Sequence, residues 1–218
     1  MTLNLFDETP IPYTAPEVMA PGAALLRGFA ADGADALLQA LAPLLVAAPL
    51  RHLVTPGGYT MSVAMSNCGE LGWISDRSGY RYERVDPLSG QPWPPMPTCF
   101  VQVAVRAALA AGFEGFQPDA CLINRYTPGS RMSLHQDKDE GDLSAPIVSV
   151  SLGLSATFLW GCLQRSQRPA RYRLAHGDVV VWGGASRLVF HGVAPLANGD
   201  HVRLGQQRIN LTFRRALS

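Results

Sequence analysis

Arg208-Ile209-Asn210-Leu211-Thr212-Phe213-Arg214, close to the C-terminus, alternates without a break between polar and apolar side chains. A strand repeats every two residues. Arg208, Asn210, Thr212 and Arg214 therefore share one face, and Ile209, Leu211 and Phe213 share the other. The apolar face demands a covering layer. An edge strand would solvate its polar face, but a strand in the middle of a compact sheet has to find anions for two arginines. Bidentate pairing with carboxylate is the cheapest solution, and one dicarboxylic acid would satisfy both guanidiniums.

The same period of two continues upstream. Residues 119–126, 147–154, 158–160, 171–174, 178–182 and 188–191 are further strand candidates with turn signals between them. Seven short strands within about 100 residues predict a sandwich or barrel, most simply a jelly roll. Before them, Asp32 is placed to cap a helix running to about Ala48, with leucines 37, 38, 41, 44 and 45 at helical spacing and Pro43 expected to kink or divide it. Thr98 is placed to cap a second helix over 99–111 that ends at Gly112. Residues 51–97 read as short strands and turns rich in glycine, proline and aromatics, and the first 20 residues as irregular. The expected fold class is mainly β with flanking helices (α+β), the helices covering one sheet.

Two further segments put chemistry on the same interior. On the 119–126 strand, Leu122, Asn124 and Tyr126 share a face opposite Cys121 and Ile123. His135-Gln136-Asp137 places an imidazole and a carboxylate two residues apart, so that on an extended segment both converge on one ion, and Asp139 follows on the same side. His191 ends an apolar run elsewhere in the chain. Two histidines and one carboxylate are the facial triad of non-haem Fe(II), which leaves positions open for reaction. His176, in the turn Ala175-His176-Gly177-Asp178, reads as structural, and His52 and His201 as surface residues.

Composition excludes several classes. Charged residues are 16% of the chain, below the roughly 25% usual for soluble domains. No apolar run approaches a membrane span, since the richest stretch is broken by Pro43 and Pro49. The acidic start MTLNLFDETP has no basic region of a signal peptide, and Cys68, Cys99, Cys121 and Cys162 lack metal or disulfide spacing. A cytoplasmic protein is expected. The net charge of +1 does not announce a nucleic-acid binder. Basic residues cluster at Arg77, Arg81 and Arg84 and again at Arg165, Arg168, Arg171 and Arg173. These read first as solvated surface, although a single strand needs only a local groove.

Several longer segments carry a resemblance: Val54-Thr-Pro-Gly-Gly-Tyr-Thr-Met-Ser-Val-Ala-Met65, Asn124-Arg-Tyr126, Leu134-His-Gln-Asp-Lys-Asp139, Val148-Ser-Val-Ser-Leu-Gly153, His176-Gly-Asp-Val-Val-Val-Trp-Gly-Gly184 and Arg208–Arg214. On these the chain resembles the AlkB family of Fe(II)- and 2-oxoglutarate-dependent dioxygenases. Residues 1–20 and 162–174 stand outside the resemblance. It implies a double-stranded β-helix in which His135, Asp137 and His191 bind iron, and Asn124, Tyr126, Arg208, Asn210 and Arg214 hold 2-oxoglutarate. It divides the chain into a supporting extension (1–48), a nucleotide-recognition lid (49–94) and the catalytic core (95–218). Trp73 would stack on a damaged base opposite His135, while Tyr80, Arg81 and Tyr82 would meet the backbone. Asp139 would contact the base, and Arg165 would lie near it.

The implied reaction is removal of the methyl group from 1-methyladenine or 3-methylcytosine in DNA, preferably single-stranded. O2 is consumed and 2-oxoglutarate becomes succinate and CO2, with formaldehyde released. Such bases carry positive charge, which Asp139 favours over the neutral parent. An aromatic platform adds roughly 1–3 kcal/mol by stacking, and a base that cannot pair flips out more readily. The rivals are the same chemistry on RNA or a protein side chain, a non-catalytic nucleic-acid-binding protein retaining the fold, and a cupin-like jelly roll with an incidental metal. Nothing in the sequence asks for a protein partner or for more than a monomer.

Overall fold

The computed structural model describes residues 13–217. In chain order the elements are β1 (Glu17–Ala20), β2 (Ala23–Leu26), α1 (Ala34–Ala47), β3 (Arg51–Val54), β4 (Thr60–Gly69), β5 (Gly72–Asp76), β6 (Gly79–Glu83) and α2 (Thr98–Ala110). There follow β7 (Ala120–Tyr126), β8 (Met132–His135), β9 (Ile147–Gly153), β10 (Ala156–Trp160), β11 (Ala170–Leu174), β12 (Val179–Trp182), β13 (His191–Val193) and β14 (Arg208–Arg214).

A large sheet runs β1-β2-β12-β9-β14-β7-β4-β3, and a small sheet runs β11-β10-β13-β8. From β7 to β14 the chain passes back and forth between the two sheets, with only the β10–β11 hairpin staying within the small one, which is the double-stranded β-helix. β14 lies between β9 and β7, inside the large sheet as its two arginines require. Ile209, Leu211 and Phe213 join Cys121, Ile123, Val148, Val150, Val179 and Val181 in one core, capped by Leu37, Leu41 and Leu44 of α1 and Phe100, Ala104, Ala107 and Ala108 of α2. Spacings of three and four residues give each helix one apolar stripe, and burying a leucine or phenylalanine fully contributes about 1.5–3 kcal/mol. The opposite face of the sheet meets the small sheet through Leu122, Tyr126, Phe158, Trp160, Val180, Trp182 and Val193. Both polar sets foreseen on β7 and β14 therefore point between the sheets.

Several local expectations change. The first 20 residues are not irregular throughout: β1 and β2 form a hairpin whose inner strand pairs with β12, while residues 1–12 lie outside the described residues. Neither Asp32 nor Thr98 caps a helix. Gly33 and Pro97 occupy those positions, and no side chain bonds there. α1 continues through Pro43 undivided. His191 opens its strand instead of ending it, and the preceding Phe190 exchanges backbone bonds with Gly161 and Cys162 at 2.8 and 2.9 Å. Within the segment 49–94, β3 and β4 extend the large sheet through β7, and only the β5–β6 hairpin stands apart. Among the described residues no helix is long and apolar enough to cross a membrane.

Candidate active site

The small sheet brings the two histidines together. His191 at the start of β13 is the register partner of His135 at the end of β8. Gly192 makes this close approach possible, since a Cβ there would meet the Met132 carbonyl oxygen at 2.6 Å. Asp137 follows β8 and completes the cluster: the Nε2 atoms of His135 and His191 lie 3.6 and 3.7 Å from its carboxylate oxygens. One potential ligand atom from each residue lies within 4.8 Å of the others.

The tautomers fit a metal. His135 Nδ1 bonds the Ser133 carbonyl at 2.8 Å, and His191 Nδ1 bonds that of Val189 at 3.0 Å. A carbonyl only accepts, so each Nδ1 carries the proton and each Nε2 offers a lone pair. Burial, reinforced by His135, pulls His191 down to about 4, which keeps it neutral near pH 7. Burial alone would raise the Asp137 carboxyl, yet Arg214, His191 and His135 together hold it well below the usual carboxylate range. The His135 side chain is 38% exposed and that of His191 6%, so the site opens on the His135 side.

A second polar group lines the same cavity between the sheets. Arg208 registers with Tyr126 and Asn210 with Asn124 across β14 and β7. Arg208 is buried, and its Nη2 donates to Ser151 Oγ at 2.9 Å. Among the described residues its Nε and Nη1 have no hydrogen-bond partner, and neither does Asn124 Oδ1, while the guanidinium lies over the Tyr126 ring at 5.0 Å. Buried guanidinium N–H groups left unpaired are costly, and a carboxylate is the ligand that would relieve them. The donor set therefore fits a metal beside a carboxylate-bearing co-substrate.

Arg214, expected beside Arg208 at a dicarboxylate, already has protein carboxylates as partners. Its Nε and Nη2 donate to Asp137 Oδ2 at 3.0 and 2.6 Å, and its Nε lies 3.2 Å from Glu140 Oε1. Glu140 also pairs with Arg187 at 3.0 Å and accepts from the Tyr82 hydroxyl at 2.7 Å. Arg187 in turn donates to the Asp137 carbonyl at 2.6 Å. Two carboxylates and two guanidiniums thus form a neutral, buried network behind the triad. Sequence reading passed over Glu140 and Arg187. The signal available was a single arginine in Arg187-Leu-Val-Phe190, since a charge in an apolar run needs a buried partner.

The remaining residues divide by position. Trp73 on β5 donates from its indole Nε1 to Asp139 at 3.1 Å and stacks on Tyr80, with ring centroids 5.5 Å apart. Tyr80 and Asp139 are exposed, as is Arg165, which stands in the loop after β10. Arg81 is held by Asp76 and Glu83, each at 2.9 Å. Tyr82 turns inward: its hydroxyl meets Glu140 and not solvent, and burial pushes the phenol well above its usual value. His176 is structural as foreseen, accepting the Gly153 N–H at 2.9 Å.

A double-stranded β-helix with two imidazoles and a carboxylate at one end, beside a buried arginine with two nitrogens left without a hydrogen bond among the described residues, defines an Fe(II)-dependent oxygenase with 2-oxoglutarate as co-substrate. The 2OG-Fe(II) oxygenase superfamily matches residues 22–214. The chain is 57% identical to the alpha-ketoglutarate-dependent dioxygenase AlkB of Salmonella typhimurium and 55% identical to that of Escherichia coli, each over 98% of both chains. It superposes on the solved structure of OsALKBH1 with a TM-score of 0.79 and 29% identity, covering 92% of this chain and 99% of that one. The chain belongs to the AlkB family of Fe(II)- and 2-oxoglutarate-dependent dioxygenases.

Proposed function

We propose that the chain removes N-methyl groups from 1-methyladenine and 3-methylcytosine in DNA, with preference for single strands, acting as a cytoplasmic monomer. The observation that carries this is the bond from Trp73 to Asp139 beside the triad: an aromatic plane and a carboxylate presented together suit a flat, cationic base. A methylated base entering from the exposed side of His135 would stack on Trp73 and exchange the indole N–H for its own contact with Asp139. Tyr80 and Arg81, on the same hairpin, would face the strand, with Arg165 on the opposite border. Tyr82 supports the hairpin from behind.

His135, Asp137 and His191 would hold Fe(II), and Arg208 and Arg214 with Asn124, Tyr126 and Asn210 would hold 2-oxoglutarate. Bound iron with 2-oxoglutarate and O2 supplies hydroxylation of the methyl carbon, after which the adduct loses formaldehyde and the base is restored. The protein's own contribution is geometric. The two backbone carbonyls fix the imidazoles, and Arg214 fixes Asp137 by binding one of its oxygens. Phe158 and Trp182 pack against the His191 ring, with centroids 6.0 and 4.8 Å away. No side chain acts as nucleophile.

The test is anaerobic reconstitution with Fe(II) and 2-oxoglutarate, then air, on a single-stranded oligonucleotide bearing one 1-methyladenine. Loss of one CH2 from the DNA, matched one-to-one by succinate and formaldehyde, supports the reading. Demethylation confined to an RNA strand of the same sequence moves the substrate. Succinate without demethylation discards nucleic acid.

A further inference from the structure

Residues 143–177 contain Arg165, Arg168, Arg171 and Arg173 and no Asp or Glu, leaving fourteen basic residues against seventeen acidic in the remainder of the chain. The weak net charge thus conceals a segregated one. Arg165, Arg168 and Arg171 are exposed and have no ion-pair partner among the described residues. The loop that carries the first two is itself ordered: Gln164 N–H donates to Cys162 Sγ at 3.2 Å, Cys162 Sγ donates to Gln167 Oε1 at 2.9 Å, and Gln167 Nε2 donates to Gln164 Oε1 at 3.3 Å.

The small sheet places this segment relative to the triad. A single row of register partners crosses it from His135 to His191, Trp160 and Ala170. Arg171 is the next residue after that row and registers with Leu159. Tyr172 and Leu174 point into the core, so Arg171 lies on the outer face. Three inter-strand spacings put β11 roughly 14 Å from His135. The row lies at one end of the small sheet, where β8 and β10 end and β13 and β11 begin. A strand with one base at the triad that runs along this rim would come within reach of Arg171 after a few nucleotides.

We infer that Arg168 and Arg171, continuing from Arg165, form a phosphate track for the part of the nucleic-acid strand that flanks the nucleotide held at the metal. The inference rests on the nucleic-acid reading above and adds a surface to it. A polyanion is the partner that such a strip fits, because repeated phosphates answer repeated unpaired guanidiniums without asking for a particular base. The strip sets affinity for length of strand, while Trp73 and Asp139 select the base.

The test uses the protein loaded with Mn(II) and 2-oxoglutarate without O2, and methylated single strands of about 15 and about 3 nucleotides. Arg168→Gln with Arg171→Gln is expected to weaken the long strand on the order of ten-fold near physiological salt and to flatten its log K against log salt slope by about 1.4. Affinity for the short strand stays unchanged. An unchanged slope and affinity on the long strand overturns the track while leaving the nucleic-acid reading intact. Equal weakening of both strands overturns it too, since the arginines would then act at the base. Wild-type protein that binds neither strand removes both readings.

Discussion

Arg214 places two hydrogen bonds on a single oxygen of Asp137, at 3.0 and 2.6 Å, and both side chains are buried. The other carboxylate oxygen, Oδ1, faces His135. One oxygen is thus held by the protein and the other left for a cation. Removing the guanidinium frees the carboxylate to rotate and leaves Asp137 and Glu140 short of positive charge. Arg214→Met is expected to destabilise the metal-free protein by about 3–5 kcal/mol. Thermal unfolding would read this as a loss of roughly 10 °C. An unchanged midpoint would mean that the network is structurally idle.

Asp137→Ala is expected to abolish turnover by removing the only carboxylate of the triad. Anaerobic titration with Co(II) should show the loss directly, as a missing absorption band. Near-normal activity with purified Fe(II) would remove Asp137 from the ligand set.

Arg208→Met keeps the volume of the side chain and removes its charge. The apparent requirement for 2-oxoglutarate should rise by about 100-fold or more, since a buried charge-assisted pair is lost. Co(II) affinity should stay within a few-fold of wild type. An unchanged Michaelis constant for 2-oxoglutarate would place the anchor elsewhere.

Trp73→Ala should weaken binding of a methylated oligonucleotide by about 1–3 kcal/mol while sparing the metal and 2-oxoglutarate. Collapse of metal binding would make Trp73 a core residue and not a platform.

Acid stability offers a test away from the metal. Arg51 bonds both oxygens of Asp86 at 2.7 and 2.6 Å, and this pairing brings the Asp86 carboxyl down to about 2 from an ordinary 3.8. A depressed folded value means that the contribution is fully present above the unfolded value and disappears as pH falls through the folded one. Wild type should therefore lose stability between about pH 4 and pH 2 on this account. Arg51→Met should flatten that limb in urea titrations. Identical pH profiles for the two proteins would show that the pair does not contribute.

Legibility followed periodicity. Arg208–Arg214 was read to the residue, because a half-buried strand writes its two faces directly into the alternation, and the register of β14 with β7 then set Asn124 beside Asn210. The triad was legible from ligand chemistry, and the structure brings its three residues together. β1 escaped because Glu17–Ala20 does not alternate: Glu17 and Val18 are exposed and Met19 and Ala20 half-buried. The helix caps failed because Asp32 and Thr98 are good capping residues in sequence, yet the chain enters each helix through Gly33 or Pro97. The inward turn of Tyr82 was invisible for another reason. Tyr80, Arg81 and Tyr82 are adjacent, and only the packing of their hairpin against Glu140 decides which of them faces the solvent.

The β5–β6 hairpin shares no backbone ladder with either sheet, whereas β4, β7 and β14 are locked edge to edge. A residue inserted into β7 or β14 would carry Asn124 or Arg208 to the wrong face, so those strands have almost no freedom to drift. The exposed turn at Arg77 and Ser78 can change without moving any metal ligand, whereas Tyr82 at the hairpin's far end is tied to Asp137 through Glu140 and Arg214. Under the nucleic-acid reading proposed above, divergence in what such a chain accepts would accumulate at that turn, while the ladder that holds Asn124 and Arg208 stays fixed.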